Sequence, residues 1–212
     1  MRDELDKVGI SYIGSGPNYS SNVQCVVEGQ GLTVKGLYRP DPDVGAVIIS
    51  FTLDTPFNFE KIVEITHYLN QTKGENEMPF ILSDPDPVIP AFNDETKEHI
   101  KVPGAGAFAA AVEAVVKRPP TMVGKPSEFV FEAISRDNPE IIPSRTVMIG
   151  DNPETDILMG NKCKLQTLMV GSGVGSWKQI EEYKDSIPQK SNLVPDYFAT
   201  SLKTFLPYIN NA

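Results

Sequence analysis

The sequence predicts an α/β fold in two units, and three observations predict it. From about Pro103 onward, apolar runs of strand length alternate with amphipathic helical stretches. Two turns, at Gly124-Lys125 and at Gly150-Asp151, each stand where a strand gives way to a helix. The first hundred residues carry a shorter alternation of their own and read as a smaller α/β unit. The boundary between the two is placed near Arg118, with either side of Pro103 also open on composition alone.

In the first unit, Val44–Ser50 is an expected strand. Asn58–Leu69 is an expected helix with Phe59, Ile62, Val63 and Leu69 inward. Pro79–Leu82 is a second strand, followed by a proline- and aspartate-rich loop. Residues 105–117 place Phe108, Val112, Val115 and Val116 on one helical face, and Pro119-Pro120 stops the run. In the second unit, Thr121–Val123 is a short strand. Ser127 then opens a helix expected to bury Phe129, Val130, Ala133 and Ile134. Arg145–Ile149 is an apolar strand ending at Gly150-Asp151. Asn152 suits the N-cap of the next helix, with Pro153 at its first position and Glu154 in its first turn. Leu165–Val170 is a further strand, followed by the glycine loop Gly171–Gly175. Ser176-Trp177-Lys178-Gln179 fits a capping box. A short strand near Tyr197-Phe198 and a terminal helix over Leu202, Phe205 and Leu206 close the chain.

The 212 residues include 18 prolines and are 40% hydrophobic, which suffices for real cores and excludes a disordered or collagenous chain. Apolar runs such as Val44–Phe51 are strand-sized, so no membrane span is expected. The start, Met1-Arg2-Asp3-Glu4, lacks an apolar secretion core, and a cytoplasmic protein is expected. Cys25 and Cys163 stand apart without metal-ligand spacing and read as free thiols. A formal charge of −9 and the lack of a basic stripe disfavour nucleic acid and anionic membranes as partners.

The chemistry concentrates between Lys125 and Asp156. Ligands of open α/β sheets bind at the carboxyl ends of the strands, so both strand-to-helix turns point to one crevice. Asp151, at a strand tip, suits a hard cation through oxygen. Lys125 offers positive charge to a phosphoryl oxygen. Asp156 is placed to orient Lys125 or a metal-bound water, with Asn152 in the same turn. Each turn alone is more often a capped helix start or a simple turn. Their order and matching positions carry the functional reading. Gly104-x-Gly106 and Gly171-x-Gly173 are only partial dinucleotide fingerprints. His67, in a helix, and His99, expected in a charged loop, have no partner cysteine or serine.

Val123–Ser127, Thr146–Gly160 and Leu165–Val174 resemble the third and fourth motifs of haloacid-dehalogenase-type phosphatases. The nearest branch holds the phosphoglycolate, pyridoxal-phosphate and 4-nitrophenyl phosphatases. Val44–Leu69, Ser83–Pro87 and Val102–Gly106 resemble that branch's cap domain, and Leu193–Leu206 resembles the close of its core. The resemblance implies an incomplete doubly wound, Rossmann-like phosphatase core over 119–212 with an α/β cap domain over 1–118. It implies Lys125 as a catalytic lysine, Asp151 as a Mg2+ ligand, and a substrate-facing cap loop with Ser83, Asp84 and Asp86. The substrate implied is a small phosphorylated metabolite, and dimerisation through the cap is a further implication.

In that family an aspartate attacks phosphorus and a second, two residues on, acts as general acid. Those motifs normally precede the cap, which here begins almost at Met1, so no nucleophile is assigned. Asp84-Pro85-Asp86-Pro87-Val88 fits the pattern D-x-D-x-V. However, it matches the cap loop in register, and its prolines remove amides that would cradle phosphate. Two functions are open: a magnesium-dependent phosphomonoesterase, or a catalytically inactive truncated pseudo-phosphatase or binding module. A chain without central strands is expected to be poorly stable or to associate through strand edges.

Overall fold

A computed structural model describes residues 2–15, 23–28, 31–36, 41–51, 58–73, 76–186 and 188–204. The chain divides into two compact units, Met1–Met122 and Val123–Ala212.

The first unit opens with the short helix α1 (Arg2–Lys7) and the antiparallel hairpin β1 (Gln24–Glu28) and β2 (Gly31–Lys35). Next come β3 (Val47–Ile49), α2 (Phe59–Leu69), β4 (Thr72–Lys73), β5 (Asn76–Glu77) and β6 (Phe80–Leu82). A hairpin of β7 (Val88–Asn93) and β8 (Glu98–Pro103) precedes α3 (Ala105–Val116) and β9 (Thr121–Met122). Strands β3, β6 and β9 form a parallel sheet in that order. Its core gathers Ile49, Phe80 and Leu82 of the sheet with Leu69 of α2 and Ala105, Ala109 and Val112 of α3.

Asn58 caps α2 by accepting from the Lys61 amide at 3.0 Å. Ile62 and Ile65 pack against the core beside buried Leu69, at the three- and four-residue spacings of one helical face. Phe59, expected inward, is instead 54% exposed, because the first turn lies ahead of the buried stripe. Val115 likewise faces outward on α3, where small Ala105 and Ala109 make the close contact. The expected loop after β6 contains the β7–β8 ribbon, whose pairing continues from Val88↔Pro103 to Asn93↔Glu98. His99 therefore lies in a strand, its ring edge-on to Phe92 at 5.5 Å, and not in a loop. Thr121–Met122 pairs with β6, which carries the division of the chain four residues past Arg118.

The second unit contains α4 (Phe129–Asp137), β10 (Val147–Gly150), α5 (Leu158–Lys162), β11 (Gln166–Val170), α6 (Trp177–Lys184) and β12 (Tyr197–Ala199). Its three strands are parallel in the order β10-β11-β12. Ile157, Met169, Ile180 and Tyr183 form the core, with Leu193, Val194 and Phe198 against it. Ser176 caps α6, its hydroxyl accepting from the Gln179 amide. Helix α4 departs from expectation: Phe129 and Ile134 are about half exposed and none of its residues is buried. Val130 and Ala133 on the same stripe are only part-buried, so the opposing layer an apolar stripe needs is incomplete among the described residues. Of the expected terminal helix, Leu202–Thr204 is helical, while Phe205 and Leu206 lie outside the described residues.

Candidate active site

The site grows from the tip of β10. Gly150 ends the strand, and Asp151 and Asn152 turn the chain outward. Asn152 accepts from the Glu154 amide at 2.9 Å, so the sequence-read cap is present. The chain does not enter an α-helix directly after this cap. Pro153–Ile157 is a π turn, with the Ile157 amide donating to the Asn152 carbonyl five residues back at 3.3 Å. Such wide turns are uncommon and concentrate at functional sites.

This widening folds Asp156 back over the start of its own turn. Its Oδ2 accepts from the amides of Asp151 at 3.0 Å and Asn152 at 3.1 Å. Its Oδ1 accepts from Lys125 Nζ at 2.7 Å. Asp156 is 3% exposed, so three donors offset the desolvation of a buried carboxylate. Gly150 makes room for it, because a Cβ there would overlap the Asp156 carboxyl group.

Lys125 follows Gly124, where the chain enters the second unit. Ser127 donates its amide to the Gly124 carbonyl at 2.9 Å and accepts from the Phe129 amide at 3.3 Å, which pins the turn before α4. The Lys125 side chain keeps 49% of its surface exposed while held by Asp156. Its ammonium therefore has donors left for an incoming anion.

Asp151 is held differently. Its backbone carbonyl accepts from the Gly175 amide at 2.8 Å, and its Oδ2 accepts from the Val174 amide at 2.9 Å. Among the described residues no hydrogen bond reaches Oδ1. The described residues contain no group of three His, Cys, Asp or Glu side chains able to hold a metal. A hard cation takes about six oxygens. Asp151 offers one carboxylate oxygen of the kind a hard cation takes.

Lys125, Asp151, Asn152 and Asp156 are thus brought together. Ser83, Asp84 and Asp86 belong to the first unit, at the end of β6. Ser83 donates its amide to the Ile49 carbonyl at 3.1 Å, and Asp84 Oδ1 accepts from the Asp86 amide at 3.0 Å. Gly104 and Gly106 pack directly on the Asp86 and Pro85 carbonyls, which accounts for that glycine pair without a dinucleotide. The grip of Val174 on Asp151 was missed in sequence, although a glycine-rich loop directly after a strand was its available signal.

A family model described as HAD-hydrolase-like matches residues 122–204, the whole of this constellation. Glycerol-3-phosphate phosphatase of Gallus gallus is 30% identical over 98% of this chain and 61% of its own length. Residues 122–204 thus resemble the haloacid-dehalogenase-like hydrolases, and nearly the whole chain is similar to phosphatases of that kind. Chronophin of Mus musculus is 32% identical over 89% of this chain and 63% of its own. The p-nitrophenyl phosphatase from Archaeoglobus fulgidus shares the fold with a TM-score of 0.61 at 22% identity, covering 78% of this chain and 57% of that one. The chain spans between half and about three fifths of the length of the curated relatives it matches.

Proposed function

We propose that the chain is part of a Mg2+-dependent phosphomonoesterase acting on a small phosphorylated metabolite, with the first unit as its cap. The observation that carries the reading is the Lys125–Asp156 pair: a buried carboxylate holds a half-exposed ammonium beside a carboxylate with one open oxygen. In this reading Lys125 binds a phosphoryl oxygen and balances its charge, and Asp156 orients Lys125. Asn152 and the π turn hold Asp156 in place. Asp151 would ligate Mg2+, which supplies charge neutralisation in phosphoryl transfer. Ser83, Asp84 and Asp86 would face substrate, and the attacking aspartate would come from outside these 212 residues.

The names of the relatives support glycerol 3-phosphate as the first substrate to try. The charge of −9 favours a small ester over a polyanion. A cytoplasmic setting is part of the proposal, and no helix among the described residues is long and apolar enough to cross a membrane. A homodimer through the first unit completes the proposal.

The test is phosphate release from glycerol 3-phosphate and 4-nitrophenyl phosphate, with and without Mg2+. It is run on this chain and on the product of any upstream in-frame sequence. Turnover that needs Mg2+ and drops at least about a hundredfold in Lys125→Ala supports the reading. Turnover unchanged by Lys125→Ala would sink the site assignment.

A further inference from the structure

We infer that the loop Gly171–Gly175 is a positioning element for Asp151: the Val174 amide and the missing side chain of Gly173 decide which carboxylate oxygen faces a cation. The inference rests on the reading of Asp151 as a cation ligand and adds how its side chain is aimed. Asp151 Oδ2 accepts from the Val174 amide at 2.9 Å, and the Asp151 carbonyl accepts from the Gly175 amide at 2.8 Å. Two consecutive amides thus grip both the side chain and the backbone of one residue.

The loop is itself tied down at both ends. Gly171 donates to the Ala199 carbonyl of β12 at 2.9 Å, and Ser176 caps α6. A Cβ on Gly173 would overlap Asp151 Oδ2 and lie 2.6 Å from the Asp151 Cβ. Any residue but glycine there must push the carboxylate aside or shift the loop. The Val174 side chain, by contrast, is 75% exposed, so the residue contributes its N–H and not its valine character.

The consequence is orientational. The hydrogen bond to Oδ2 restrains the carboxylate, and Oδ1 is the oxygen left without a hydrogen bond among the described residues. A cation then receives a single pre-set oxygen instead of a freely turning pair, and it loses less side-chain freedom on binding. Groups that orient a metal ligand in this way typically change affinity by about 10–100-fold when removed.

The test uses the 212-residue chain and millimolar MnCl2, read by paramagnetic broadening of assigned backbone amides, with thermal melts alongside. Expected is broadening centred on Asp151 and on the Gly173 and Val174 amides, lost in Asp151→Asn. Val174→Ala should bind as wild type, because its N–H remains. Val174→Pro and Gly173→Ala should need at least about tenfold more Mn2+ for the same broadening. Slow hydrogen exchange of the Val174 amide in the unmutated chain checks the hydrogen bond, whether or not the variants fold. Folded Gly173→Ala and Val174→Pro that bind as wild type would overturn the positioning role while leaving Asp151 a ligand. A Val174 amide that exchanges as freely as an unstructured one would do the same. Broadening that is absent, or that survives Asp151→Asn, would remove the ligand assignment and this inference with it.

Discussion

Asp156 shows how much one buried carboxylate can organise. It accepts from two backbone amides and one ammonium, and all three partners belong to the strand-to-helix turns that the sequence marks. Asp156→Ala would leave the Asp151 and Asn152 amides without their acceptor, at a cost of about 3 kcal/mol. Lys125→Ala removes one donor whose side chain is half exposed, and solvent screening holds that cost near about 1 kcal/mol. Urea melts of both variants should keep that order, and equal losses would contradict the geometry. Cys163 offers a separate check. Burial raises its thiol above the ordinary 9.0, Glu128 and Glu132 raise it further, and Lys162 opposes them. The folded chain therefore holds that proton more tightly than the unfolded chain. Its contribution to stability is complete below pH 9.0 and is lost as pH climbs through the raised value. Iodoacetamide should label Cys163 more slowly in the native chain than in denaturant between neutral pH and 9.0, as peptide mass mapping would show.

Elements were legible where local chemistry decides them. Asn58 and Ser176 are polar caps three residues ahead of the amides they accept from, a pattern set within one turn. Ser176→Ala should cost about 1 kcal/mol, lowering the melting midpoint by a few degrees without moving other elements. An unchanged midpoint would mean the cap contributes nothing beyond solvent. The β7–β8 ribbon was not legible, because Pro90, Asp94 and Pro103 mark breaks to a local reading. Yet Pro90 and Pro103 sit within its two strands, which among the described residues pair only with each other. The π turn was equally hidden. Asn152-Pro153-Glu154 announces a helix start, but the extra residue in the turn depends on where Asp156 finds its donors.

At the scale of the molecule, the second unit leaves both sheet edges open among the described residues, since β10 and β12 each pair only with β11. Val147 and Ile149 on β10 are 42% and 36% exposed, and Phe129 and Ile134 on α4 stand near half exposure. An unpaired apolar edge invites strand addition. The chain should self-associate as its concentration rises, seen as growing mass in light scattering. Ile149→Lys should reduce that association by charging the edge. A wild-type chain that stays monomeric throughout would refute the prediction. The family resemblance also belongs to this scale, because the matched region, residues 122–204, takes in α4 and all three strands from β10 to β12.

The sequence by itself determined the α/β class, the two strand-tip turns and the caps. Each of these depends on residues within a few positions of one another. Tertiary structure alone decided that Thr121–Met122 joins the sheet of the first unit. It also decided which apolar residues of α2, α3 and α4 are buried, and that Val174 grips Asp151 from 23 residues away. These are contacts between segments far apart in the chain, and no local propensity encodes which partner a strand edge, a helix face or a carboxylate will meet.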